Sequence, residues 1–290
     1  MKMTVTVLVA LVALSACGGA SHKAASPGPA QTSRSPSPST SATGTACVTT
    51  SESGSCGPYT YPQNTDSNGY NTYVHNNMWN DIPGATQTLT ATGPGNWNVV
   101  ANLPAGNTAV VSYPSTSQQY PVPDGTDPTP VADYASMYSM FSENMNVNRG
   151  TSAEAGYDIW FDNSGASDEL MVQNDMSNRG SCADIGIIAT VAFGGSGGVP
   201  VQNWNFCKYG TELIWQLAPP DGDHGIAVWG ERSSTVDLLS MMNWVINHRY
   251  LAAGSKLDSI GYGWEICSTG GQNETFQISR FSTTYTLAGS

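Results

Sequence analysis

From Cys56 onward the chain is cut into short runs rich in Val, Ile, Tyr, Trp and Thr by Gly, Pro, Asn and Asp, which recur roughly every 8–12 residues. That punctuation suits strands and turns, and it points to an all-β sandwich or jelly roll of antiparallel sheets rather than alternating β and α. Strands are expected at 71–79, 86–92, 109–113, 137–144, 155–161, 168–174, 204–209, 211–217, 225–228, 257–266 and 276–287. One segment has a different period. From Ser234 to about Leu251, apolar residues fall at Val236, Leu239, Met242, Val245 and Ile246, the spacing of an amphipathic helix packed on the outside of one sheet. Ser234 is the expected N-cap, with Asp237 three residues on, and Gly254 lies past the last turn. No internal repeat is visible.

The termini divide the chain into three parts. Residues 1–16, with Lys2, an apolar run from Val5 to Leu14 and then Leu-Ser-Ala before a cysteine, read as a secretory signal too short to span a membrane. Leu14-Ser15-Ala16-Cys17 resembles the lipobox of bacterial lipoproteins, which implies a diacylglycerol on Cys17 and a lipid-anchored extracellular protein; ordinary secretion with a coincidental cysteine is the other reading. Residues 17–46 are almost entirely Ser, Pro, Thr, Ala and Gly, the composition of an extended, disordered stalk. Residues 47–290 are sized for a single all-β domain.

Only 10 Lys and Arg stand against 22 Asp and Glu, with no basic cluster, which argues against a nucleic-acid partner and for an uncharged ligand. Six cysteines in an exported chain imply disulfides. The expected pairs are Cys47 with Cys56, closing a short loop at the domain entrance, and Cys182 with Cys207, tying two segments that read as neighbouring strands; spacing alone leaves the connectivity open. With Cys17 given to a lipid, Cys267 is the candidate for a free thiol.

Two glutamates sit among apolar residues in strand-like segments, Glu169 and Glu265. An ionised carboxylate in such a place is costly to bury and usually has a partner or a task. Two facing each other across a groove meet the needs of glycosidic cleavage: one attacks the anomeric carbon and one protonates the leaving oxygen. Alternation puts Glu169, Met171 and Gln173 on one face with Leu170 and Val172 on the other. It likewise groups Gly263, Glu265 and Cys267 opposite Trp264 and Ile266, and Asp158, Trp160 and Asp162 opposite Tyr157, Ile159 and Phe161. These polar faces suit a groove and equally suit solvent. Asp158 is either a proton-sharing neighbour of a glutamate or a solvated edge carboxylate. In His75-Asn76-Asn77-Met78-Trp79-Asn80-Asp81, the alternation places Asn77 and Trp79 together, an amide for hydroxyls and a flat ring for a pyranose, unless the tryptophan simply fills the core.

Other machineries are poorly supported. His22, His75, His224 and His248 show no metal-ligand spacing, so no metal or cofactor is expected. Gly194-Gly195-Ser196-Gly197-Gly198 lacks the lysine and helix of a phosphate loop, and no nucleophile elbow marks a serine triad.

Four segments together, HNNMWND (75–81), AGYDIWFD (155–162), DELMVQND (168–175) and GYGWEICSTGG (261–271), resemble glycoside hydrolase family 12, compact jelly-roll endoglucanases and xyloglucanases with an open cleft. Their order matches the family, as does the helix before the last of them. The resemblance covers roughly residues 60–288. It implies Glu169 as nucleophile and Glu265 as general acid/base of a retaining endo-β-1,4-glucanase, and Asp158 as the aspartate that assists the nucleophile. Asn77, Trp79 and Met171 match cleft residues; with Trp160 and Gln173 they make up the expected substrate-binding set. The chain departs from the family at Gln173, where members commonly carry a tryptophan, and at Ile266-Cys267 after the acid/base, both of which bear on specificity. The implied partner is a cellulose-like β-glucan or xyloglucan, acted on by a monomer. The competing readings are a non-catalytic cell-surface polysaccharide-binding lipoprotein and a surface adhesin using exposed aromatics.

Overall fold

The computed structural model describes residues 46–59, 72–80, 82–120, 128–145, 147–163, 166–218 and 230–289. The expected signal, the lipid site at Cys17, nearly all of the stalk and the strand expected at 225–228 lie outside the described residues. In chain order the elements are β1 (Cys47–Thr49), β2 (Ser55–Tyr59), β3 (Thr72–His75), β4 (Thr86–Gly93), β5 (Asn96–Asn102), β6 (Ser115–Gln119), β7 (Thr129–Pro130), β8 (Tyr134–Met145), β9 (Thr151–Asn163) and β10 (Ala166–Ser177). There follow a helical turn α1 (Cys182–Ile185), β11 (Ala189–Phe193), β12 (Gln202–Tyr209), β13 (Glu212–Leu217), β14 (Gly230–Asp237), the helix α2 (Leu238–Asn247), β15 (Lys256–Thr269) and β16 (Asn273–Leu287).

The strands form the expected two-sheet sandwich. The smaller sheet runs β1-β4-β5-β16-β8-β14; the larger runs β11-β12-β13-β10-β9-β15-β6-β3-β2, with β7 also on β15. The pairs are antiparallel except β10 with β13, which run parallel because α1, β11 and β12 intervene before the chain returns. Alternation decides what lies between the sheets. Tyr157, Ile159 and Phe161 of β9, Leu170 and Val172 of β10, and Tyr262, Trp264 and Ile266 of β15 are all essentially buried. Tyr262 stacks on Phe281 of the smaller sheet, ring centroids 5.4 Å apart, and meets Tyr157 at 4.5 Å. Each such side chain contributes about 1.5–3 kcal/mol of transfer free energy. A bulge between Ile278 and Arg280 lets Phe276, Ile278 and Phe281 all turn inward.

The helix begins later than its period suggests. Residues 230–237 are strand β14, paired residue for residue with β8 from Gly230–Met145 to Asp237–Tyr138. The ladder with β8 outweighs the weak helical preference of Glu-Arg-Ser-Ser-Thr. Asp237, not Ser234, is the N-cap: its carboxylate accepts from the Ser240 backbone N–H at 3.1 Å and from Ser240 Oγ at 2.7 Å. Trp244 of α2 lies 5.0 Å, ring to ring, from both Phe206 and Trp215, so the helix packs on the face of β12 and β13 that carries those rings.

Residues 109–113 form no regular strand; Ser112 bridges Met78 on one side and Ile266 on the other. The alternation expected through Asn77 also breaks. β3 ends at His75 and Asn77 takes a left-handed φ of 43°, a conformation Asn tolerates. Both expected disulfides are present, Cys47–Cys56 and Cys182–Cys207. Cys267, expected free, is disulfide-bonded; that expectation rested on the odd count left after Cys17 was assigned to a lipid.

Candidate active site

The outer face of the larger sheet collects the carboxyls. Register puts Glu169 of β10 level with Trp160 of β9, and Glu265 of β15 level with Glu154 of β9. Asp158 lies between these levels on β9, paired with Met171 on one side and Gly261 on the other. Although they point away from the sandwich core, Asp158 and Glu265 are each only 8% exposed. That face is therefore recessed, not solvated, and the groove reading of the alternation holds over the edge-carboxylate one.

Two further carboxyls join them. Parallel pairing that starts at Leu170–Leu213 brings Glu212 of β13 alongside Glu169. Glu154 is almost fully buried. Burial is the largest cause that raises every shifted member of the group. Glu169 is pushed up to about 8, with the charges of Glu212 and Glu154 adding to burial. Asp158 is held well above the ordinary carboxylate range by burial and then by Glu169 and Glu265. Glu265 is likewise held high by burial and Glu154, against an opposing pull from Arg179. Glu212 rises to about 7. Like charges in one recess cannot all ionise.

Arg179 is the cation of the group. Its Nε donates to Glu154 Oε2 at 2.9 Å and its Nη2 to Glu265 Oε2 at 2.6 Å. A bulge between Gln173 and Asp175 re-aims β10 so that Gln173 and Met176 both face the recess, with Arg179 following just after the strand ends. A chain of amides backs the ion pairs: Cys182 N–H donates to Gln216 Oε1, Gln216 Nε2 to Gln173 Oε1 at 3.1 Å, and Gln173 Nε2 to Glu154 Oε1 at 2.8 Å. The Cys182–Cys207 disulfide packs with Met171 and Ile214 and anchors α1 at the head of this chain.

Tyr113 occupies the glycine floor beside the carboxyls. Its ring lies against Gly261, and its hydroxyl donates to the Gly156 carbonyl at 3.1 Å. A side chain at Gly263 would meet the Pro114 carbonyl at 2.1 Å, so only glycine lets this segment approach β15. Asn77 holds Tyr113 from behind: its Nδ2 donates to the Tyr113 carbonyl at 3.2 Å, and its carbonyl accepts the Tyr113 N–H at 2.9 Å.

Of the residues singled out from sequence, Glu169, Glu265, Asp158, Trp160, Met171 and Gln173 share this face. Gln173 is 7% exposed and engaged at both ends of its amide. Asn77 reaches the group through Tyr113, and Trp79 is an exposed aromatic at 36%. Sequence reasoning missed Glu154, Glu212, Tyr113 and Arg179. The first two were within reach of it, since Glu154 continues the series of Asp158 and Trp160, and Glu212 alternates with Leu213 and Trp215. Tyr113 and Arg179 lie outside regular strands and carry no periodic signal. Among the described residues no group of His, Cys, Asp and Glu is arranged to hold a metal ion, and no helix is long and apolar enough to cross a membrane.

No family model and no curated protein matches the sequence. Solved structures do. A family 12 xyloglucanase from Bacillus licheniformis is 18% identical, with a TM-score of 0.61 over 83% of this chain and 100% of that one. An endoglucanase from Rhodothermus marinus is 17% identical, with a TM-score of 0.60 over 83% and 99%. The xyloglucanase domain of a type three effector from Sinorhizobium fredii, solved with cellobiose, is 20% identical, with a TM-score of 0.57 over 83% and 99%. The fold built here from strand register and burial is the fold of these family 12 glycoside hydrolases.

Proposed function

We propose that this protein is a retaining, endo-acting glycoside hydrolase that cleaves β-1,4-glucosidic bonds in cellulose-like β-glucan or xyloglucan. One observation carries the reading: Glu169, Asp158 and Glu265 lie on three adjacent strands of one recessed face, close enough for both glutamates to act on Asp158. Glu169 attacks the anomeric carbon while Glu265 gives its proton to the departing oxygen. Glu265 then takes a proton from the water that releases the sugar from Glu169. Asp158, kept protonated by burial and by the two glutamates, is a donor that favours the ionised form of Glu169. The neighbours named as xyloglucanases and endoglucanases point to the same chemistry. Trp160 and Trp79 offer flat faces to pyranose rings. Gln173, tied into the amide chain, offers none, which supports a substrate preference of its own.

Glu169→Ala is expected to abolish reducing-sugar release on every β-glucan that the wild type cleaves; unchanged release removes this residue from the mechanism. Product-anomer NMR across cellulose, mixed-linkage glucan, xyloglucan and mannan is expected to show the β-anomer first. An α-anomer as first product overturns double displacement. Wild-type binding without cleavage on every polymer identifies a polysaccharide-binding protein instead.

We also propose an extracellular location, supported by the secretory leader and by the two disulfides, which need an oxidising compartment. Cys267 is disulfide-bonded and the other four described cysteines pair with one another. Mass spectrometry of the unreduced N-terminal peptide decides whether the Cys17 thiol carries lipid or a disulfide.

A further inference from the structure

Arg179 holds two carboxylates at once, and the two are not equivalent. Glu265 and Glu154 are directly opposed across β15 and β9, hydrogen-bond each other, and share a single buried guanidinium. Glu154 receives a donor on each oxygen, Arg179 Nε on Oε2 and Gln173 Nε2 on Oε1, and keeps lone pairs free to accept from Glu265. Among the described residues, Glu265 receives one donor, Arg179 Nη2 on Oε2. A proton shared by the two acids therefore belongs on Glu265, with Glu154 as its acceptor.

Resting on the reading of Glu265 as acid/base, we propose that Glu154 and Arg179 are positioning residues that hold the proton of Glu265 ready for transfer and receive the charge left behind. With Glu265 protonated, the triad carries one cation and one anion and is neutral. In the transfer step the Glu265 O–H bond breaks and a bond from that proton to the glycosidic oxygen forms. The C1–O bond breaks as Glu169 bonds to C1, and Glu265 is left as a carboxylate facing Arg179 Nη2. The same guanidinium thus serves Glu154 throughout and Glu265 in the second half of the cycle, when it must accept a proton from water. The amide chain from Gln216 through Gln173 keeps Glu154 from turning away. Among the described residues, the other titratable groups that interact with Glu265 are Glu169 on β10, Asp158 on β9 and Tyr113 before β6; Glu212 on β13 lies one step further, acting on Asp158 and Glu169. None of these donates to Glu265 in the way that Arg179 does.

The test is a pH titration of ¹³C-labelled glutamate by NMR, with the Glu265 signal identified by its loss in Glu265→Gln, run beside pH–rate profiles. Glu154→Gln removes an anion and the acceptor while keeping the shape. It is expected to lower the Glu265 midpoint and the basic limb of kcat/KM by about one pH unit, a roughly tenfold change in proton affinity. Arg179→Met removes the cation and is expected to move both the other way. Midpoints that stay put, or move in the same direction in both variants, overturn the proposal even if activity collapses. Should a variant fail to fold, the wild type still decides, because a Glu265 midpoint in the ordinary carboxylate range overturns it. A wild type that cleaves no β-1,4-glucan while the midpoints move as expected sinks the glucanase reading and leaves the triad standing.

Discussion

Burial, with Glu212 and Glu154 behind it, pushes Glu169 up to about 8, whereas the proposed attack on a sugar requires its ionised form. Activity governed by this carboxyl rises with pH through that region, so the acidic limb of kcat/KM is expected well above the usual carboxylate range. Glu212 is the largest of the charges that raise Glu169 and makes no catalytic contact in the proposed steps. Glu212→Gln is therefore expected to shift the acidic limb to lower pH by about one unit, raising the rate several-fold below pH 7 relative to the variant's own maximum. An acidic limb that does not move in this variant removes Glu212 from the electrostatics of the site. At this scale the amino-acid order carried much of the answer. Alternation alone assigns Asp158, Glu169 and Glu265 to polar faces, and the same rule reaches Glu154 and Glu212. Arg179 is different: it follows a bulge, and its value lies wholly in which two carboxylates it meets.

Irregularities in the strands do much of the positioning. The bulge after Gln173 breaks period two so that Gln173 and Met176 both face outward, and the bulge after Ile266 sets Cys267 beside Arg179. Neither is written in the local hydrophobic pattern, since a bulge depends on the partner strand. The transition from β14 to α2 obeys similar logic. A 3.6-residue period runs back to Val236, yet β8 takes the first part of that segment into its ladder, and the helix starts only where Asp237 caps Ser240. Asp237→Ala is expected to cost about 1 kcal/mol of stability, read as a lower urea midpoint with an unchanged slope. Ser234→Ala, at the position the period favours for the cap, is expected to cost less than half of that.

Across the whole molecule the raised carboxyls act in one direction. Glu143, fully buried between the sheets, accepts from Asn174 Nδ2 at 2.6 Å and from the Tyr262 hydroxyl at 2.7 Å, and burial and the charge of Asp175 push it up to about 8. Its unfolded value is 4.5, so between those limits the folded state holds a proton that the unfolded chain has released. The contribution is complete below the lower limit and is lost as pH rises through the upper one. Asp158, Glu169, Glu212 and Glu265 add in the same sense. The urea midpoint is therefore expected to fall from pH 5 to pH 9, and Glu143→Gln, whose amide can serve both partners, is expected to recover a few kcal/mol at the upper end. A midpoint that climbs over this interval contradicts the sign. On the acidic limb, activity and stability thus pull in opposite directions with pH, a consequence of burying so many acids. The sandwich, the core faces and the three carboxyls at the centre of the proposed chemistry are legible in the amino-acid order, because strand periodicity and turn residues act locally; the two expected disulfide pairings needed the structure to close them. Tertiary structure alone decided the parallel β10–β13 pair, the Tyr113 floor, the bonded state of Cys267 and the Glu154–Arg179–Glu265 triad. These depend on which strands lie side by side and how far a side chain reaches between them, and no short window of residues contains that information.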